Sequence, residues 1–205
     1  MIRFNTDLIA PKAISKRVVT SPMNLLNSQS YVESFLLRPK NSKVIWNAFF
    51  TKTNEELFSH TFTDHPEVFT VEAMMPYLTQ LSPNSAITKN LFLKDKKGGL
   101  YLLSAIHDKP VNLNEISKKV KAPNLRFASE ETLYQTLKVK QGCVTAYALL
   151  NDSSSKVKFL LDQDVLQAQK VYFHPLVNNA TTGISIQDFQ KFVKLTNHDI
   201  LPVQL

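Results

Sequence analysis

A lysine and an asparagine stand together at the head of an apolar run, Thr88-Lys89-Asn90-Leu91-Phe92-Leu93. Read as a strand, the run alternates, with Asn90 out, Leu91 in, Phe92 out and Leu93 in. An ammonium group at the buried end of such a strand is costly unless an anion or a carbonyl meets it. Two roles for Lys89 stay open on this basis. It holds a ligand, or it snorkels to solvent from a strand end, where lysines are common. Two further stretches carry reactive groups. Phe173-His174-Pro175 offers an imidazole, followed by the small and polar Asn178-Asn179-Ala180-Thr181-Thr182-Gly183. That segment reads as a loop laying amides along a pocket wall or, equally, as a capped turn. Gly142-Cys143-Val144-Thr145-Ala146 places the single cysteine in a loop ahead of an apolar segment. Cys143 is a thiol nucleophile with His174 as base in one reading, and a small buried side chain at a tight turn in the other.

Other chemistries find no support. The five histidines, His60, His65, His107, His174 and His198, do not fall at the helical spacing of a zinc protease, and no carboxylate accompanies a pair of them. One cysteine leaves no internal disulfide and no cysteine-rich zinc site. There is neither a serine elbow of the GxSxG kind nor a glycine loop for phosphates. No metal and no cofactor are expected.

The elements that must position these residues follow from pattern. Leu57 to Thr63 alternates as a strand, with Phe58 and Phe62 on one face. Asp64 to Glu67 is a break. Thr70 is an N-cap for a helix from Val71 that Pro76 ends or kinks. Lys89 to Asp95 and Leu100 to Ile106 form a hairpin around Lys96-Lys97-Gly98-Gly99, closed by His107-Asp108-Lys109-Pro110. Helices are predicted over Asn112 to Val120, over Glu130 to Leu137 behind a Ser129 cap, and over Ile186 to Leu195 behind Ser185 with Asp188 in its first turn. Short strands are predicted at Leu125 to Phe127, Val144 to Leu150, Val157 to Leu161 and Val171 to Phe173. Strands and helices alternate irregularly, which indicates an α+β domain with a mixed sheet, not a doubly wound parallel one.

With 205 residues, 43% of them hydrophobic and 13 phenylalanines, the chain has material for a full core. Its net charge of +7 is uneven. Residues 1–40 hold six basic groups (Arg3, Lys12, Lys16, Arg17, Arg38, Lys40) against Asp7 and Glu33, so the rest is only mildly basic. Such a body contacts a nucleic-acid backbone at a few points and does not coat a polyanion. Residues 1–40 form a basic extension with a helix predicted over Asn24 to Leu37, and residues 41–205 form the folded domain, opening with a helix over Asn41 to Lys52. The extension reads as a mitochondrial presequence or as a docking tether. The single cysteine points to a reducing compartment, so the cytoplasm is the expected location, with mitochondria the alternative through residues 1–40. No apolar stretch approaches the ~20 residues of a membrane span, and no membrane partner is expected.

Several motifs now fall in one order. His65-Pro66-Glu67-Val68-Phe69-Thr70-Val71-Glu72, then Lys89-Asn90-Leu91-Phe92-Leu93-Lys94-Asp95-Lys96-Lys97, then Phe173-His174-Pro175 and Ala180-Thr181-Thr182-Gly183 together resemble the prolyl-tRNA editing domains of the YbaK/ProX type. That group includes the stand-alone prolyl-tRNA synthetase associated (PrdX deacylase) proteins. The resemblance covers about residues 55–205. It implies a mixed, mostly antiparallel sheet flanked by helices. It also implies a trans-editing hydrolase that cleaves the ester of a mischarged tRNA, with alanine on proline tRNA the usual target. The chemical need is plain: a missing methylene is worth only ~1–3 kcal/mol, so a pocket built for proline admits alanine and a second pocket must remove it.

Carried over position by position, the resemblance makes Lys89 the critical lysine, holding the terminal-adenosine phosphate or the ester region, and Asn90 its companion at the acyl end. The backbone of Gly142, Cys143, Val144, Thr145 and Ala146 holds the substrate amino group and carbonyl. The family ends this loop in proline, so Ala146 implies a looser loop. His174 shapes the amino-acid pocket by positioning rather than by proton transfer. Phe69, Met74 and Met75 are apolar wall candidates. The implied mechanism is placement of an already activated ester, with the terminal hydroxyl of the tRNA helping to activate a water. The implied partners are the acceptor end of aminoacylated tRNA and, as a second candidate, prolyl-tRNA synthetase. Lys94, Lys96 and Lys97 touch the acceptor stem or form a solvated turn. The alternative is a catalytically weakened tRNA- or synthetase-binding module of the same fold. The test that structure must meet is that Lys89 and His174 face one compartment.

Overall fold

The computed structural model describes Phe58 and residues 60–205 apart from Gln80. The extension 1–40 and the helices predicted over Asn24 to Leu37 and Asn41 to Lys52 lie outside the described residues. In chain order the elements are β1 (His60–Asp64), α1 (Val71–Met74) running into a 3-10 turn (Met75–Tyr77), β2 (Ser85–Lys94), β3 (Leu100–Ile106), α2 (Leu113–Lys119), β4 (Arg126–Phe127) and α3 (Glu130–Leu137). A 3-10 segment (Ala146–Asn151), β5 (Val157–Asp162), a second 3-10 segment (Gln163–Gln167), β6 (Lys170–Phe173), β7 (Ala180–Ser185), α4 (Ile186–Leu195) and β8 (Ile200–Val203) complete it.

The strands form one mixed sheet in the order β1-β7-β6-β2-β3-β5-β8, with β4 pairing to the far end of β2. Antiparallel pairings (β1/β7, β2/β3, β2/β4, β6/β7) outnumber parallel ones (β2/β6, β3/β5, β5/β8). The class is α+β, as the irregular alternation of elements predicts.

β2 is the spine of this sheet. Its first residues pair in parallel with β6 and the rest pair antiparallel with β3. Both of its faces are covered. Phe92 joins the core built from Leu102, Phe159, Phe173, Tyr147, Phe189 and Phe192, while Leu93 joins Tyr101, Leu103, Leu160 and Ile116 on the other side. The predicted alternation is corrected here: Phe92 is 4% exposed and Leu93 0%, because a central strand between two layers has no outward face. A third cluster, Val68, Met74, Leu78, Ile87 and Tyr172, lies under α1.

Local chemistry sets the helix ends as read from the sequence. The Ser185 and Ser129 hydroxyls accept from the backbone N–H of Asp188 (3.1 Å) and Thr132 (3.3 Å). Thr70 accepts from Ala73 N–H at 3.2 Å, and α1 gives way to a 3-10 turn at Pro76. The hairpin turn is tied by Asp95, whose carboxylate accepts from the N–H of Lys97 and Gly99 and from the Tyr101 hydroxyl, each at 2.8 Å. Burial and this carboxylate push the Tyr101 hydroxyl up to about 12.

Three segments differ from expectation. Val144 to Leu150 is not a strand. It forms the 3-10 segment from Ala146, capped by Thr145, and Ala146 to Leu149 are essentially inaccessible. A short apolar run enclosed on all sides carries no period to separate helix from strand. Ala180 to Gly183, predicted as loop, is the start of β7, and β8 carries no prediction at all. β7 carries glycine at position 183 because Tyr172 lies across it there: a Cβ on Gly183 would come 2.5 Å from Tyr172 Cε1 and 2.8 Å from Thr61 Oγ1.

Candidate active site

The parallel register of β2 and β6 sets Ile87 beside Tyr172. Extended two residues past this last pair, the register would set Lys89 level with His174. In the antiparallel pair β6/β7, Tyr172 lies opposite Gly183 and Phe173 opposite Thr182, so Thr181 follows beside His174. Lys89 on β2 and His174, just past the end of β6, are thus brought to adjoining stretches of the sheet from remote parts of the sequence.

His174 is half-buried, and its Nδ1 donates to the Ala180 carbonyl at 3.0 Å. The proton thus sits on Nδ1 and leaves Nε2 as an acceptor. Burial lowers its pKa below the ordinary 6.5, the Ala180 carbonyl opposes this, and the nearby His65 adds to the lowering. His65 packs edge-on to His174 with ring centroids 6.1 Å apart, and stacks on Tyr77 at 5.7 Å. Thr181 Oγ1 lies 2.9 Å from both His65 Nε2 and Met74 Sδ, and its one proton serves one of them. Because the folded imidazole sheds its proton more readily than a free one, its contribution to stability is complete above 6.5 and is lost as pH falls through the lower folded value. The unfolding midpoint of the wild type is expected to drop as pH is lowered through that range, and to drop less in His174→Asn. Parallel curves would show that His174 is not a source of the pH dependence.

Lys89 is half-buried, and its Nζ donates to the Lys109 carbonyl. This satisfies in part the cost read from the sequence: a carbonyl meets the ammonium. The receiving loop is anchored in turn, since Lys109 Nζ pairs with Asp162 (2.9 Å) and Asp164. Glu72, in the first turn of α1, lies within electrostatic reach of Lys89 and His107. Its carboxyl is held below the usual range first by its own backbone N–H, then by the Thr70 hydroxyl, and least by those two side chains.

The structure does not bring Asn90 to the Lys89 amino group. Asn90 Oδ1 accepts from Ser104 Oγ at 2.6 Å, and Ser104 lies on the opposite sheet face from Ala105, the partner of Lys89. Neighbours on a strand diverge because side chains alternate.

The segment before α1 clasps the loop after β6. His65 N–H donates to the Asn179 carbonyl (3.1 Å) and Val68 N–H to the Asn178 carbonyl (3.0 Å). This carries Phe69 onto Gly142. A Cβ there would meet the Phe69 ring at 3.1 Å, and Gly142 has a φ of +82°, so both space and conformation call for glycine. Of the wall candidates, Phe69 (75% exposed) and Met75 (38%) are at the surface, and Met74 (3%) is inside the cluster under α1. Val144 is half-buried and Thr145 is fully buried. Ala146 is the first residue of the 3-10 turn, where the Thr145 hydroxyl accepts from Tyr147 N–H at 3.4 Å. That position suits a proline, and burial together with the cap confines the alanine. Burial raises the Cys143 thiol, only partly opposed by a hydrogen bond with the Asn178 backbone, so the group is a poor thiolate. Cys143→Ser is expected to spare the ester hydrolysis that the resemblance implies, and loss of turnover would restore the nucleophile reading.

Sequence reasoning did not single out His65, Glu72, Tyr77, His107, Tyr172 or Thr181. His65 and Glu72 are within motifs already quoted, but their inward or sideways aim follows from pairings between distant segments. Three buried polar side-chain atoms have no hydrogen-bond partner among the described residues: His107 Nδ1, Tyr172 OH and Asn179 Oδ1. All belong to residues next to the segments above. Among the described residues no three His, Cys, Asp or Glu side chains converge as metal ligands, and no helix is long and apolar enough to cross a membrane.

Comparison with known proteins adds the following. The profile of the aminoacyl-tRNA editing domain matches residues 65–192. Prolyl-tRNA synthetase associated domain-containing protein 1 of Bos taurus is 51% identical over 141 residues, covering 66% of this chain and 81% of the relative. The prolyl-tRNA editing protein ProX of Acetoanaerobium sticklandii is 32% identical over 159 residues, covering 77% of this chain and 96% of the relative. A solved structure of a candidate trans-editing enzyme for prolyl tRNA synthetase superposes with a TM-score of 0.58 at 16% identity, over 82% of this chain and 99% of its own, which is a likeness of fold.

Proposed function

This chain belongs to the aminoacyl-tRNA editing domain family, and on that footing we propose that it is a trans-editing deacylase whose principal substrate is alanyl-tRNA(Pro). The observation that supports the proposal is the parallel pairing of β2 with β6, which sets the strand of Lys89 beside the strand that leads into His174, next to the His65 to Glu72 segment that packs on Gly142 and Asn178. The named relative of this family that edits prolyl-tRNA supports the choice of tRNA.

The mechanism follows from what these groups can do. An aminoacyl ester is already activated, so no covalent enzyme intermediate is needed. Lys89 leaves the Lys109 carbonyl to hold the oxygen-rich ester end. His174, neutral and fixed by Ala180, presents Nε2 as an acceptor at the wall of the amino-acid pocket. The backbone N–H groups of Gly142 and Val144, the partly exposed part of the Gly142 to Ala146 turn, meet the developing oxyanion, where one donor is worth about 3 kcal/mol. Placement of the ester against a water activated by the vicinal hydroxyl supplies most of the rest, up to ~7–11 kcal/mol. The reaction consumes water and releases free alanine and uncharged tRNA.

The test is a panel of tRNAs charged with alanine, serine or proline, scored for amino-acid release. Alanine release from proline tRNA, with prolyl-tRNA(Pro) spared, is the expected result. Retention of the tRNA with no release from any member would replace the hydrolase by the binding module of the same fold.

A further inference from the structure

The group that the site above leaves unused is His107. It follows β3 directly, and its backbone N–H donates to the Ile87 carbonyl at 2.9 Å, two residues before Lys89. The same short loop supplies the Lys109 carbonyl that receives Lys89 Nζ. Glu72 lies within reach of both side chains. His107, at the end of β3, and Lys89, in the middle of β2, thus lie together on adjoining strands, and the Glu72 carboxylate in the first turn of α1 is close enough to act electrostatically on both. Lys89 is met by Lys109, and Glu72 by its own N–H and Thr70. His107 Nδ1 is buried and unpartnered. A buried ring nitrogen left unsatisfied is costly, and a native fold that retains one calls for an explanation.

The chemistry of the locus selects what fills the vacant bond. A phosphate would stand against the Glu72 carboxylate, like charge against like. A hydroxyl both donates and accepts, so it suits a carboxylate, an imidazole and an ammonium together. We propose that His107 binds the free hydroxyl of the terminal ribose, the one vicinal to the aminoacyl ester, and is a further substrate-positioning residue. The inference rests on the deacylase reading. No bond is made or broken at His107. Holding that hydroxyl fixes the rotation of the ribose, and so aims the ester at Lys89 and keeps the hydroxyl directed at the attacking water.

The experiment compares single-turnover alanine release from alanyl-tRNA(Pro) ending in ordinary adenosine with release from the same tRNA ending in 2′-deoxyadenosine, the ester being on the 3′ oxygen. Wild type, His107→Ala and His107→Asn are measured, with unfolding midpoints alongside. His107→Ala is expected to be about tenfold slower on the ordinary substrate, the loss of one hydrogen bond. His107→Asn, which restores a polar atom near Nδ1, is expected to recover most of that rate. The penalty for removing the hydroxyl should be about tenfold smaller in His107→Ala than in wild type. An equal penalty in both proteins, or an unchanged rate in His107→Ala, overturns the inference. Should the alanine variant not fold, the same cycle is run with His107→Asn and His107→Gln, and an equal penalty in wild type and His107→Gln overturns it. A wild type that releases nothing from any mischarged tRNA overturns the deacylase reading and this inference with it, a failure seen without any variant.

Discussion

Lys89→Ala is expected to slow single-turnover release of alanine from alanyl-tRNA(Pro) by about 10²–10³-fold, the scale of losing one preorganised donor at the reacting centre. The reason lies in its setting. The ammonium is half-buried on a central strand and is met by the Lys109 carbonyl. A cation so placed is desolvated in part, which makes it a stronger partner for an ester oxygen than a surface lysine would be. The fold should tolerate the change, because the alanine keeps the strand and only the Lys109 carbonyl loses a donor, at a cost of ~1 kcal/mol. Lys89→Arg is not expected to restore the rate, since a planar fork does not reproduce a compact point charge. A variant that folds and releases alanine at nearly the wild-type rate would remove Lys89 from the mechanism.

Phe189→Ala is expected to cost ~3–5 kcal/mol of stability, against the ~5–15 kcal/mol that a domain of this kind has in total. Phe189 is inaccessible and sits among Phe173 (ring centroids 4.7 Å), Phe159 (6.0 Å) and Phe192 (6.4 Å). It reaches them because Ile186, Phe189, Phe192 and Val193 share one face of α4. The effect should extend to the site, because Phe173 directly precedes His174 and the cavity opens beneath it. Urea unfolding gives the stability, and deacylation measured where the variant remains folded gives the coupling. A loss below about 1 kcal/mol would mean that the aromatic cluster closes over the cavity and is not the rigid base of β6.

Much of the local structure was legible because it is decided within a few residues. Ser129, Ser185 and Thr70 announce helix starts through hydroxyls that reach an N–H three residues on. The Lys96-Lys97-Gly98-Gly99 turn announces its hairpin, where Gly98 takes a φ of +87°. The candidate chemistry was legible in part as well: a lysine against a sheet core needs a partner, and it has one in the Lys109 carbonyl. Cys143 was open from its residue type, and burial decided its character by holding the thiol neutral.

What the amino-acid order determined alone, then, is the set of caps, turns and apolar faces, together with motifs specific enough to indicate the family. Tertiary structure decided the rest. That Val144 to Leu150 coils instead of extending follows from enclosure on every side, which erases any pattern of apolar and polar positions. That Ala180 to Ser185 extends follows from its antiparallel pairing with β1 on one side and β6 on the other, with Gly183 leaving room for the Tyr172 ring. The strand of Lys89 comes to lie beside the strand that leads into His174 because β2 and β6 run parallel in one register. A parallel pairing joins residues from distant parts of the chain through main-chain bonds that every residue type can make, so no local stretch encodes it.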